Sequence, residues 1–132
     1  MNNVQRLSLV LVLVALSSGS GTAQTVRLNQ VMRSKLQHSQ RILEAVVTSN
    51  WPLLDTESKA LLQITRDPAW SVLQFPEYAR HSAAFVRATE DLIDVARLRD
   101  MEGASLGFVA LSTTCVSCHR YLARARIATT QP

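Results

Sequence analysis

Only two cysteines occur in the 132 residues, beside four glycines and four prolines, and each shortage excludes something. Both cysteines fall inside one five-residue stretch, Cys115-Val116-Ser117-Cys118-His119, which leaves no thiol for a disulfide framework. No second ligand pair stands at zinc spacing. No segment alternates apolar and polar residues with a period of two, so no sheet is expected, and there is no internal repeat or low-complexity tract. Acid-base machinery is missing as well. His38 and His81 are far apart in the chain, and the one acid at helical spacing is Glu77, four residues before His81. The longest apolar run, Leu7 to Leu16, is about half of what a spanning helix needs.

A strong excess of one charge is also absent. Fourteen Lys and Arg face ten Asp and Glu, for a formal charge of +4. The arginines are scattered, with Arg120, Arg124 and Arg126 as the only concentration, so nothing argues for nucleic acid. Cations in the last turns of a helix are favourably placed against its dipole, which is the simplest account of those three.

What is present begins with a leader. Arg6 supplies a positive start, Leu7 to Leu16 an apolar stretch, and Gly21-Thr22-Ala23 a small-residue cleavage site, so residues 1–23 read as an export signal cut after Ala23. An uncleaved anchor is the alternative. Residues 24–132 form one domain with no membrane span. Loss of Arg6 lowers the charge to +3, because the leader holds no acid.

Four helices follow from the apolar periodicity. Leu28 to Ser49 presents Leu28, Val31, Met32, Lys35, Leu36, Ser39, Ile42, Leu43 and Val46 on one arc. Lys35 and Ser39 are polar members of that arc. Lys35 is expected to snorkel outward along its stem, the other option being a gap or cofactor edge. Asn50-Trp51-Pro52 breaks the helix, and Asp55 or Thr56 caps a second, short one that carries Leu61, Leu62 and Ile64 and ends by Asp67. Residues 68–75 are too apolar for a free loop and read as a helical turn over one end. Pro76 and Glu77 open a third helix to about Leu98, with Tyr78, Ser82, Phe85, Thr89, Leu92, Ile93 and Ala96 inward. After a short loop, a fourth runs from Ala104 to about Ile127. The expected fold is an all-α, antiparallel four-helix bundle.

On the fourth helix, Phe108, Leu111, Cys115, Cys118, His119 and Leu122 share one face. Two thiols three residues apart on a helical turn can each add across a vinyl group of one porphyrin edge, and the next imidazole can ligate the iron. The C-x-x-C-H run therefore reads as a covalent attachment site for one haem c. A redox-active thiol pair and two of four zinc ligands are the other readings of these five residues. Two haem propionates would bring the exported holoprotein near a charge of about +1.

A single C-x-x-C-H near the C-terminus, after about ninety residues of helical sequence with a methionine in the first helix, resembles the class II cytochromes c. These are the cytochrome c′ family and its low-spin, six-coordinate relatives. The third and fourth positions beyond His119, often aromatic and basic in that family, hold Leu122 and Ala123 here. The resemblance implies an exported, periplasmic electron carrier with redox partner proteins, no enzymatic activity of its own, and homodimers formed through the first two helices. It also implies Met32 as the sixth iron ligand opposite His119. The residues agree: Met32 lies on the inward arc, its thioether is a soft ligand, and antiparallel order sets the start of helix one level with the end of helix four. An open sixth position, suited to nitric oxide or carbon monoxide, is the alternative, and a haem subunit of a larger enzyme is a third. His38 or His81 could bond a propionate or replace Met32, although a local hydrogen bond is the plainer expectation for each. Trp51 and Trp70 are expected as bundle caps.

Overall fold

A computed structural model describes residues 20–130 apart from 72 and 74. Most of the expected leader lies outside the described residues. Four helices make up the described chain: α1 (Ser20–Val47), α2 (Trp51–Ile64), α3 (Pro76–Leu98) and α4 (Met101–Thr130), with a 3-10 turn, Pro68–Ser71, between α2 and α3. No strand occurs among the described residues. Short connections at 48–50 and 99–100 turn each helix back on its predecessor, and α1/α2, α2/α3 and α3/α4 pack along their lengths. The α1/α4 seam is much looser. The bundle therefore closes on three sides and stays open on the fourth.

α1 runs from Ser20 to Val47, not from Leu28 to Ser49 as the apolar pattern suggested, and side-chain caps shift two further helix starts from expectation. α2 begins at Trp51, because Asn50 is itself a capping residue: its Oδ1 accepts from the Leu53 amide at 3.1 Å. Pro52 then falls in the first turn, where a missing N–H costs nothing. α4 begins at Met101 rather than Ala104, because the Asp100 carboxylate accepts from the Gly103 amide at 3.0 Å. A Cβ at Gly103 would lie 2.4 Å from Asp100 Oδ2, so glycine is what lets this cap close. α3 ends on Arg99 in the left-handed region, at φ 53.

The core is built by Ile42 from α1, Leu54 and Leu61 from α2, Phe85 and Leu92 from α3, and Ala104 and Leu111 from α4. On α3 the expected inward face is buried at Tyr78, Phe85, Thr89, Leu92 and Ala96. On α1 the expectation was too wide. Val31, Lys35, Ile42, Ala45 and Val46 are buried, whereas Leu36 and Leu43 are 60% and 44% exposed. At 100° per residue those two leucines fall on the flank that turns toward the loose seam, where no helix covers them.

α1 and α2 are joined by a polar clamp outside the core. Glu57 is buried on α2; its Oε1 accepts from Arg41 Nε at 2.5 Å, and its Oε2 lies 2.6 Å from His38 Nδ1. Burial raises the Glu57 pKa, the hydrogen bonds from His38 and Arg41 lower it, and the lowering prevails. A carboxyl whose folded pKa lies below its unfolded one stabilises the fold above the ordinary glutamate range and loses that contribution as pH falls through the folded value. Denaturant midpoints should therefore decline as pH drops below about 4. Glu57→Gln should show a shallower decline, and a slope equal to the wild type would contradict the clamp.

Candidate functional site

At one end of the bundle the open seam widens into a cleft of about 590 Å³. Its walls are Met32 and Lys35 from α1, Tyr78, His81 and Phe85 from α3, and Cys118, His119 and Leu122 from α4, with Trp70 of the 3-10 turn as floor. α2 contributes nothing to it. Along α4, burial relaxes from Leu111, 1% exposed, through the half-buried Cys115 and Cys118 to the exposed His119. The helix face that packs the core at Leu111 thus leaves the core and becomes a cleft wall one turn later.

Three of the four residues singled out in the sequence, Met32, Cys118 and His119, line this cleft. Cys115 sits one turn further in, half-buried, with its Sγ donating to the Leu111 carbonyl at 3.4 Å. Of the remaining histidines, His81 lines the cleft and stacks on Tyr121, ring centroids 5.5 Å apart. His38 is held by Glu57 on the α1/α2 side and does not line the cleft.

The floor is tightly fixed. Trp70 Nε1 donates to Ser82 Oγ at 2.5 Å, and the Tyr78 hydroxyl donates to the Trp70 carbonyl. The Trp70 and Phe85 rings lie 5.1 Å apart. Trp70 thus anchors the turn to α3, while Trp51 packs half-buried against the core at the start of α2.

Lys35 overturns the expectation of an outward reach. It is only 7% exposed, and its Nζ lies 3.8 Å from the Phe85 ring centroid and 4.6 Å from that of Trp70. Position 35 falls inside the buried arc, between Val31 and Ile42, and the aromatic faces give the ammonium an electrostatic partner within the fold. No carboxylate pairs with it among the described residues. Burial pulls the Lys35 pKa down, and the two cysteine sulfurs oppose that pull.

Burial likewise pushes the Cys118 thiol up, with Lys35 partly opposing. Both cysteines lie in the middle of α4, away from the positive end of a helix. A redox-active thiol pair needs the reverse, a lowered pKa at a helix N-terminus. Among the described residues, no three His, Cys, Asp or Glu side chains converge to hold a bare metal ion. Cys118 instead lines the largely apolar slot, and Cys115 lies half-buried one turn further in.

The aromatic floor and the inward lysine were not foreseen as one unit. The signal was a lysine at the centre of an apolar arc. No family model matches this chain, and neither a curated protein nor a solved structure does.

A cation that folding desolvates without a carboxylate partner works against the fold below its folded pKa. Aromatic faces return part of that cost, while burial lowers the Lys35 pKa. The haem-free Lys35→Met variant should therefore resist urea better than the haem-free wild type at neutral pH. A lower midpoint would show that the cation–π contacts dominate.

Proposed function

We propose that the cleft holds one covalently attached haem c and that the chain is an exported monohaem electron carrier of the low-spin, cytochrome c′-like kind. The observation that carries this reading is the placement of Cys118 and His119 on the wall of a largely apolar cleft, with Met32 on the wall contributed by α1. A slot of about 590 Å³ is of the size that encloses a cofactor. A buried ammonium without an acid beside it suits an occupant that brings carboxylates.

Each residue then has a distinct task. The Cys115 and Cys118 thiols would hold the macrocycle through two thioether bonds, each thiol adding across a vinyl group with its proton going to the neighbouring vinyl carbon, without net oxidation. His119 would present its imidazole on the α4 side, and Met32 its thioether on the α1 side, a combination that favours the reduced metal. Phe85, Trp70 and Leu122 exclude water, which keeps rearrangement on electron transfer small. The bound iron supplies the chemistry, cycling between ferrous and ferric by one electron. Export fits the reading, since c-type haem is attached outside the cytoplasm, and no helix among the described residues is long and apolar enough to cross a membrane.

Visible spectra of the ferric and ferrous protein, with and without carbon monoxide, test this. A low-spin ferrous spectrum unchanged by carbon monoxide is expected. Met32→Ala should convert it to a high-spin form that binds the gas. A wild type that is already high-spin would remove Met32 from the iron and make the chain a gas-binding protein instead. The holoprotein should also unfold at far higher temperature than the haem-free chain, because the macrocycle fills the open seam; equal melting would argue against an enclosed haem.

A further inference from the structure

Charge is segregated along the bundle although the net charge is small. The cleft half, residues 23–35, 60–87 and 114–125, carries eight Lys or Arg against two Asp or Glu. The opposite half, residues 36–59 and 88–113, carries four against eight. Ion pairing sharpens the contrast. The two acids of the cleft half are both engaged, Asp67 with Arg27 at 3.6 Å and Glu77 with Arg80. In the opposite half, three of the four cations are engaged: Arg41 with Glu57, Lys59 with Asp55 and Arg97 with Asp94.

The exposed cations of the cleft half without an acidic partner among the described residues are Arg33, Arg66, Arg87, Arg120 and Arg124; they surround that end of the bundle and do not line the cleft itself. Arg33 follows Met32 on α1, and Arg120 follows His119 on α4, with Arg124 one turn further along. These three are exposed and, like Arg66 and Arg87, have no acidic partner among the described residues. α1 alone spans about 40 Å, several times the screening length of about 8 Å at physiological salt. An approaching molecule therefore meets the charge of one end, and the net charge of the chain describes neither end.

We infer that the cleft end of the bundle is the docking surface for an acidic face of a redox partner protein, which the excess of cations over that end attracts. The electron exchanged there rests on the haem reading above; the docking rests on the charge distribution alone. Steering by a patch of one sign raises association rates by about 10 to 1,000-fold at low salt and fades as salt rises.

The partner's charge can be imitated by small oxidants of opposite sign. Ferrous holoprotein is mixed in a stopped-flow instrument with ferricyanide, a trianion, or with tris(1,10-phenanthroline)cobalt(III), a trication, across a range of ionic strengths. Each accepts one electron. The ferricyanide rate should fall about tenfold as salt is raised, and the cobalt rate should climb. The triple variant Arg33→Glu, Arg120→Glu, Arg124→Glu should invert both dependences. A control, Lys59→Glu, Arg97→Glu, Arg99→Glu, alters the net charge equally and should keep wild-type dependences. Equal responses of the two triples, or wild-type rates indifferent to salt, would overturn the docking surface.

A chain that carries no covalent haem would be recognised from its spectrum beforehand, and would defeat the haem reading alone. In that event poly-L-glutamate, followed through amide resonances, still decides the surface. Shifts confined to the neighbourhoods of Arg33, Arg120 and Arg124 support it, and shifts at residues 97–102 or spread over both ends overturn it.

Discussion

The length of α2 decides where this bundle is solid and where it is hollow. Fourteen residues span only about half the length of α1 or α4. Over the half that α2 covers, four helices meet and enclose Ile42, Leu54, Leu92 and Leu111. Beyond it the fourth wall is replaced by a 3-10 turn, which cannot fill the same volume. A local feature sets this length: Asn50 caps one end, and Pro68 starts the tight turn beyond the other. The cleft is the geometric remainder.

Polar groups take different parts in the two halves. In the solid half a buried carboxylate is fully paired, with His38 and Arg41 converging on Glu57 from α1. In the hollow half a buried ammonium, Lys35, meets only aromatic faces. The first arrangement is complete within the chain and locks two helices together. The second leaves an electrostatic demand that the polypeptide does not meet, beside two thiols and an imidazole. That imbalance supports the proposal of an anionic macrocycle more strongly than cleft size does, since many bundles have crevices.

Much of this was legible in the residues. α3 was readable from Pro76, Glu77 and a clean apolar stripe, and its bounds agree. The turn at residues 68–71 followed from a segment too apolar to be free. The grouping of Cys118 and His119 with apolar positions on α4 followed from helical spacing. Caps were harder, because Asn50 and Asp100 act through one side-chain oxygen each, and competing candidates, Asp55 and Thr56, stood nearby. The exposure of Leu36 and Leu43 was hidden because periodicity gives the direction of a face and says nothing of how far a neighbour extends over it. Lys35 was misread for the same reason: whether a long stem reaches water depends on the rings that stand opposite, and Trp70 and Phe85 are far away in sequence.

The looseness of the α1/α4 seam has a kinetic counterpart. Extensive packing joins only helices that are consecutive in the chain, so nearly all stabilising contacts close short loops. Chains of this kind have low contact order and fold quickly. The contact between first and last helix, which carries the largest loop-closure entropy, is the one this fold has kept slight. Each hairpin can form as the chain emerges, without waiting for its terminus. The order of assembly thus leaves for last the one joint through which a large flat molecule could enter.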